Sequence, residues 1–312
     1  MCIPGRLFFR HQQSFVAIVF IIFLSIAGCR KSHVPTSLDE ASGLVWIEGG
    51  TFEMGKDGVA DASPTITQKI DGFWMQKYEV TNAQFETFAK AKNYTTLAEK
   101  NGGSYVFLPT AKADSLSIPG APWWKYITDA YWKNPQGNKN ITRENKFQPV
   151  THIAYEDACA YCDWLEMSLP TEAEWEFAAK GDGEKTEQNI WQGNFPYENN
   201  NHDGFEKTAP VGSFPAGKNG LYDINGNVWE WCADYYHASW YIMATQLPVS
   251  LRANGPDRAY DPSLPYSETR VIRGGSFLCS DNYCTGYLPF TRMRSSVEYT
   301  FEHIGFRCVK RN

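Results

Sequence analysis

The residues best suited to chemistry lie near the end of the chain. Arg273–Cys284 reads RGGSFLCSDNYC, and Ile304–Cys308 closes the region as IGFRC. Cys279 and Cys284 form a C-x4-C pair on a segment hinged by Gly274 and Gly275 and otherwise rich in Ser, Asn and Tyr. Two sulfurs on so tight a loop have two uses. In an oxidising compartment they close a small disulfide. Kept reduced, they form a soft thiolate pair that favours Cu(I), with positions open for a substrate thiol and oxygen. Residue types alone leave both alternatives standing.

The acidic loops come next. Asn189-Ile190 precedes Asp203-Gly204-Phe205, and Asp223–Glu230 reads DINGNVWE. Hard oxygen donors bent around glycine suit calcium, although Asn/Asp-Gly runs also make ordinary turns. The second run starts like an EF-hand loop, but Glu230 arrives too early and no flanking helix pair is evident, which excludes an EF-hand. His33, His152, His202, His237 and His303 are scattered, without H-x-x-x-H or H-x-H pairing. The ligand sets of a zinc hydrolase or a non-haem iron centre are therefore missing. No G-x-S-x-G and no phosphate loop occurs. Cys159-Ala-Tyr-Cys162 is formally C-x-x-C, but it falls inside a helical pattern and not at a helix start after a strand, so redox chemistry of the thioredoxin kind is not expected.

These residues need a scaffold. Leu44–Ile47 reads as a strand, Gly49–Gly55 follows with turn glycines at both ends, and Phe73–Met75 with Tyr78–Val80 suggests a short strand pair. A helix opens at Thr81, where Gln84 completes a capping box and Phe85, Phe88 and Ala89 mark the inward stripe. A second helix covers Tyr155 to Met167, and a third starts at Thr171 with Glu174 as its box partner and ends by Gly181. Between them, Tyr94 to Pro149 reads as a long irregular insert carrying Trp123, Trp124 and Trp132, either packed onto the domain or forming a binding wall. After Gly181 regular structure is expected to thin out. The whole reads as one α+β domain with two or three helices, short antiparallel strands and much loop.

Composition sets the setting. The chain has 312 residues, 43% hydrophobic and 15% aromatic, with 25 Gly and 17 Pro. That is enough for a real core and implies plentiful loops. A formal charge of -6 leaves no basic footprint, so no nucleic-acid partner is expected. The first 29 residues look like an address: Arg6, Arg10 and His11 form a basic start, and Phe15 to Ile26 is an apolar run of secretory length. The run ends Ile26-Ala27-Gly28-Cys29, which resembles a bacterial lipobox with Cys29 as the lipidated residue; a plain signal peptide or a retained anchor is the alternative. The expectation is a lipoprotein of the bacterial cell envelope, facing the periplasm and held to the membrane by its lipid. Residues 1–29 would then be the signal peptide, 30–43 a tether and 44–312 the domain. Of eight cysteines, Cys159, Cys162, Cys232, Cys279, Cys284 and Cys308 remain in that domain.

From about Val45 to Cys308 the chain resembles the formylglycine-generating enzymes, the sulfatase-modifying factor family. The resemblance rests on GGTFEMG, YEVTNAQFE, APWW, PVTHIAYEDACAYCDW, LPTEAEWEFA, NIWQGNFP, TAPVGSFPAGKNGLYDINGNVWEW, RGGSFLC, NYC and GFRC. It implies a C-type-lectin-like α+β fold poor in regular structure. It also implies conversion of the cysteine in a sulfatase C-x-P-x-R segment to formylglycine with O2. Cys279 and Cys284 would bind copper as thiolates, Ser276 would be an active-site serine, and Tyr283 and Arg292 would match pocket positions. Structural Ca2+ would be held at one site by Asn189, Ile190, Asp203 and Phe205, and at another by Asp223, Gly226, Val228 and Glu230. Cys162 and Cys308 would form the family disulfide. A second disulfide of some relatives is missing, with Ala179 and Pro289 at its positions, and Cys159 and Cys232 are left over as a candidate pair. A non-catalytic structural or secretion-associated lipoprotein of the same fold is the competing reading, and the intact thiol pair is what separates the two.

Overall fold

A computed structural model of the chain describes residues 32–109, 114–138, 145–180 and 187–312. The apolar leader and Cys29 lie outside the described residues. Within the unit Lys31–Asn312 the elements are α1 (Leu38–Ala41), β1 (Leu44–Ile47), β2 (Gly50–Met54), β3 (Ile66–Ile70), β4 (Phe73–Gln76), α2 (Asn82–Lys92), α3 (Leu97–Lys100), β5 (Gly103–Phe107), β6 (Ser117–Ile118), β7 (Ala121–Thr128), α4 (Tyr155–Trp164), α5 (Glu172–Lys180), β8 (Trp229–Tyr235), α6 (Trp240–Ala244), α7 (Val249–Arg252), β9 (Thr269–Arg273), β10 (Met293–Ser296), β11 (Ile304–Gly305) and β12 (Val309–Arg311). The strands make small sheets in the orders β1-β4-β12, β2-β3, β5-β7-β6 and β10-β9-β8-β11. Only β11 against β8 is parallel among these pairings.

The helix starts follow the sequence reading. Thr81 accepts from the Gln84 N–H while the Gln84 side chain accepts from Thr81 N, and Phe85 and Phe88 go inward. Thr171 and Glu174 make the same reciprocal pair at the start of α5. α4 stops at Trp164, short of Met167, because Glu166 turns to a left-handed φ of 55° that helical backbone cannot hold.

Three expectations need correction. Tyr78–Val80 is not a strand; β4 pairs instead with β1 and with the C-terminal β12. The insert between Tyr94 and Pro149 contains α3 and the whole β5-β7-β6 sheet. The region after Gly181 supplies four strands of the sheet that carries the site. β8 shows why it was missed: nearly every residue from Trp229 to Tyr235 is buried, so the in–out alternation that signals a strand is absent. The expected tether also folds back in its described part. Ser37 caps α1, His33 N donates to Gly212 O at 2.6 Å, and Gln84 Nε2 donates to Ser42 Oγ at 3.1 Å.

Two buried arginines hold the sheets in place. Arg307, in the closing IGFRC segment, donates to both carboxylate oxygens of Glu230 (2.7–3.0 Å) and to the carbonyls of Gln76, Lys77 and Tyr222. Arg273, at the end of β9, pairs with Glu172 and Glu176 of α5 and donates to Pro289 O. Beside Arg307, Cys308 is disulfide-bonded to Cys162 of α4 across 146 residues. The disulfide sits in an aromatic cluster where Tyr161 meets Phe306 at 5.3 Å and Phe85 meets Trp132 at 5.2 Å. Cys159 and Cys232 do not pair: both are free thiols, Cys159 packed on the cluster around Tyr161 and Cys232 within the cluster around Trp175.

Candidate active site

Past Arg273 the chain turns sharply. Gly274 and Gly275 have φ of 94° and 73°, the left-handed region that glycine enters without strain, and a Cβ at Gly275 would lie 2.5 Å from Tyr287 N. Ser276, Phe277, Leu278 and Cys279 follow, all buried. The 223–230 loop braces this turn: Gly226 N donates to Gly274 O at 2.7 Å, and Phe277 N donates to Asn227 O at 2.9 Å. Cys279 N donates to Ser276 O and Cys279 O accepts from Trp191 N, both at 2.9 Å. Ser280 and Cys284 then exchange both backbone hydrogen bonds at 3.0 Å, closing the short loop between them.

That closure brings the sulfurs together without joining them. Both cysteines are free, Cys279 buried and Cys284 half-buried. The two thiols hydrogen-bond to each other. Burial and this bond push the Cys279 thiol well above its ordinary range, while the same bond draws Cys284 below its own. The proton therefore rests on Cys279 and the negative charge is favoured on Cys284. A Cβ at Gly286 would lie 2.2 Å from Cη2 of Trp229 and 3.2 Å from Cys279 Sγ, so the indole and the thiol close over a position that has room only for hydrogen.

The thiols wall a cavity of about 390 Å³ with Trp124, Trp229, Phe195, Ser276 and His303. Tyr283, 50% exposed, stacks on Phe195 with ring centroids 3.9 Å apart at its edge. Arg292 also borders the cavity, but its guanidinium faces the interior. It forms a two-point pair with Glu172 (2.7 and 2.8 Å) and approaches Asp61 at 3.6 Å. At this pocket position Arg292 is therefore one half of a buried ion pair. Ser276 Oγ accepts from Leu278 N and meets His303 Nδ1, each at 3.3 Å. Trp124 is one of the insert's indoles offered as a binding wall, whereas Phe195, Trp229 and His303 are not among the sequence candidates for the site. The one available signal was the place of His303 directly before IGFRC.

The donor set for an ion can be tested on the same residues. Among the described residues no group of three or more His, Cys, Asp or Glu is placed to hold a metal ion. A site among the described residues would therefore combine at most two such side chains, as the sulfur pair does, with carbonyls, amides or outside donors. The sulfur pair fits a soft ion by kind and by mutual contact. At the first acidic site, Asp203 Oδ1 accepts from Phe205 N while Oδ2 is buried with no hydrogen-bond partner, a lone oxygen suited to a hard cation. The second site does not fit as expected. The Glu230 carboxylate is spent on Arg307 and on Trp175 Nε1 (2.8 Å), so Glu230 is a counter-ion to Arg307. Glu79 stands close by, accepting from Asn227 Nδ2 at 2.7 Å and from Val228 N at 3.2 Å. Burial, then the charges of Asp223 and Glu230, raise its carboxyl well above the usual range.

The comparisons with known proteins bear on this geometry. A family described as the sulfatase-modifying factor enzyme 1-like domain matches residues 31–312. The chain belongs to this family. It is 39% identical over 294 residues to the formylglycine-generating enzyme of Thermomonospora curvata, covering 86% of this chain and 93% of the relative. It is 32% identical over 310 residues to the inactive C-alpha-formylglycine-generating enzyme 2 of Mus musculus, covering 93% and 92%. Among solved structures, PvdO from Pseudomonas aeruginosa superposes with a TM-score of 0.59 at 20% identity, covering 86% of this chain and 94% of that one, a likeness of fold. A sulfatase-modifying factor-like domain thus occurs in relatives named active and named inactive, so activity has to be argued from the thiols and their cavity.

Proposed function

We propose that this chain converts the cysteine of a C-x-P-x-R segment in a sulfatase polypeptide to formylglycine, with O2 as oxidant and Cu(I) as cofactor. The observation that carries the reading is the pair of free thiols, in contact, at the wall of an aromatic cavity. Cys279 and Cys284 would hold the ion as thiolates, and Cu(I) bound there supplies one-electron chemistry with dioxygen. The chain's own residues do the rest. Trp124, Trp229 and Phe195 keep water from the reacting thiol, and Tyr283 offers a flat face at the entrance. The Ser280–Cys284 bridge fixes the sulfur positions before substrate arrives. A purely structural role would need no reduced thiol pair, and the pair is what favours the enzyme.

The test is a purified protein with Cu(I), oxygen and a C-x-P-x-R peptide, followed by mass spectrometry. Conversion of the peptide thiol to an aldehyde is expected; an unchanged peptide mass would sink the reading.

The architecture, with short sheets and few helices, supports a C-type-lectin-like assignment. We further propose that the protein is a periplasm-facing lipoprotein anchored through Cys29, which rests on the leader sequence. Structural Ca2+ at the Asn189/Asp203 loops would neutralise the lone Asp203 oxygen and stiffen the loops that brace the catalytic turn. Calcium at about a hundred times its dissociation constant is expected to add about 2.7 kcal/mol of stability. The melting temperature should rise with calcium and fall with chelator. In Asp203→Asn the calcium-dependent rise should shrink; a rise undiminished by that change would remove Asp203 from the site.

A further inference from the structure

The cavity wall holds a histidine beside the serine of the sequence reading. Ser276 is buried, and its Oγ is occupied on one side by the Leu278 N–H. Its hydroxyl proton has one acceptor within reach, Nδ1 of His303 at 3.3 Å. The His303 ring is partly exposed and lines the cavity, edge-on to Trp124 with centroids 4.5 Å apart and against Phe301 at 5.7 Å. Its carbonyl accepts from Trp229 N at 2.9 Å, which ties the ring's position to the strand carrying the cavity indole. Among the described residues Nε2 has no hydrogen-bond partner. Unlike Nε2 of His152 it is not fully buried, and the residue lines the cavity. Burial, and then the neighbouring His152, lower the His303 pKa to about 3, so the ring is neutral at physiological pH.

We propose that His303 is the polar group of this cavity that meets the substrate, donating from Nε2–H to a backbone carbonyl oxygen of the bound peptide, and that Ser276 acts through it. With Nδ1 accepting the Ser276 hydroxyl, the single proton of a neutral imidazole must sit on Nε2. Ser276 thus selects the tautomer and the ring angle, and His303 presents a fixed N–H donor beside the thiols. The acceptor it recognises is a neutral carbonyl and not a carboxylate, because a neutral imidazole in an apolar cavity offers a dipole and no charge. The inference rests on the oxidase reading for the identity of the peptide, but its geometry does not need turnover.

The experiment has a spectroscopic arm and a peptide arm. Imidazole 15N spectra at pH 7 should show His303 as the Nε2–H tautomer, with the Nδ1 signal moving in Ser276→Ala; an Nδ1–H tautomer would overturn the proposal. In the peptide arm, His303→Phe keeps the ring packing and removes the donor, and His303→Gln restores an N–H at similar reach. For a C-x-P-x-R peptide, His303→Phe should raise KM about five- to tenfold, the weight of one lost hydrogen bond, with kcat changed far less. His303→Gln should recover most of that loss. In a Ser276→Ala background, His303→Phe should add little, because the two act as one unit. An unchanged KM in His303→Phe, or a loss shared by kcat alone, would overturn the assignment while leaving the oxidase reading intact. The same variants are compared for binding of a serine-substituted peptide without copper or oxygen. If wild type binds that peptide about five- to tenfold tighter than His303→Phe and yet leaves the cysteine peptide unoxidised when copper and oxygen are supplied, the oxidase reading fails and the His303 contact stands. If wild type binds no peptide, both fall.

Discussion

Cys279→Ser and Cys284→Ser are each expected to lower peptide oxidation at least about a thousandfold, with neither variant retaining partial turnover. The sulfurs act as one unit: a single hydroxyl in place of either thiol leaves a hard, weakly acidic donor where a soft one is needed. The site is also asymmetric before any ion binds, with the proton on Cys279 and the charge favoured on Cys284. The two variants should therefore differ in thiol reactivity while agreeing in lost turnover. In Cys279→Ser the hydroxyl can still donate to Cys284, whose alkylation should stay faster than that of the buried Cys279 in Cys284→Ser; in Cys279→Ala that donor is lost and alkylation of Cys284 at neutral pH should slow. Circular dichroism and the melting temperature should stay near wild type, since the loop is closed by the backbone bonds of Ser280 and Cys284. Substantial turnover in either variant would remove the thiol pair from the mechanism.

The second large effect concerns the disulfide. Cys162 and Cys308 close a loop of 146 residues, which the chain-entropy account values at about 5 kcal/mol. Replacing both by alanine is expected to lower the melting temperature by about 10 °C or more. The effect comes mainly from the greater freedom of the unfolded chain, so the folded variant should keep its kcat and KM at temperatures well below its midpoint. Calorimetry and peptide turnover at low temperature would check the two halves. A melting temperature within a degree or two of wild type would mean that the aromatic cluster around Tyr161 and Phe306 holds the C-terminus unaided.

The contrast between what was legible and what was not follows distance along the chain. Thr81 with Gln84, Thr171 with Glu174, and Cys279 with Cys284 were readable because each pair is local and its chemistry is complete within a few residues. Glu230 is a calcium ligand only by the resemblance, and its partner Arg307 stands 77 residues away, beyond any local pattern. Arg292 and Glu172 are separated by 120 residues, and Ser276 and His303 by 27. No local pattern announces such pairs. β8 was hidden for a different reason: burial on both faces removes alternation, and the charged Glu230 and Asp234 interrupt its apolar run although both are buried. The strands of the insert were hidden because β5 and β7 stabilise each other at a distance along the chain, while Pro119, Gly120 and Pro122 read as breakers.

The C-terminal strand has a consequence for how the molecule is made. β12 is hydrogen-bonded to β4, and β11 is laid beside β8, so residues 304–311 complete sheets begun by residues 73–76 and 229–235. Until they arrive, Cys162 has no Cys308 to join, Glu230 has no cation, and the wall bearing His303 does not exist. A nascent chain is therefore expected to carry all its thiols exposed together, with Cys162 beside Cys159 on one helix. The order in which oxidant and C-terminus reach the chain then sorts the sulfurs into one crosslink and one reactive pair.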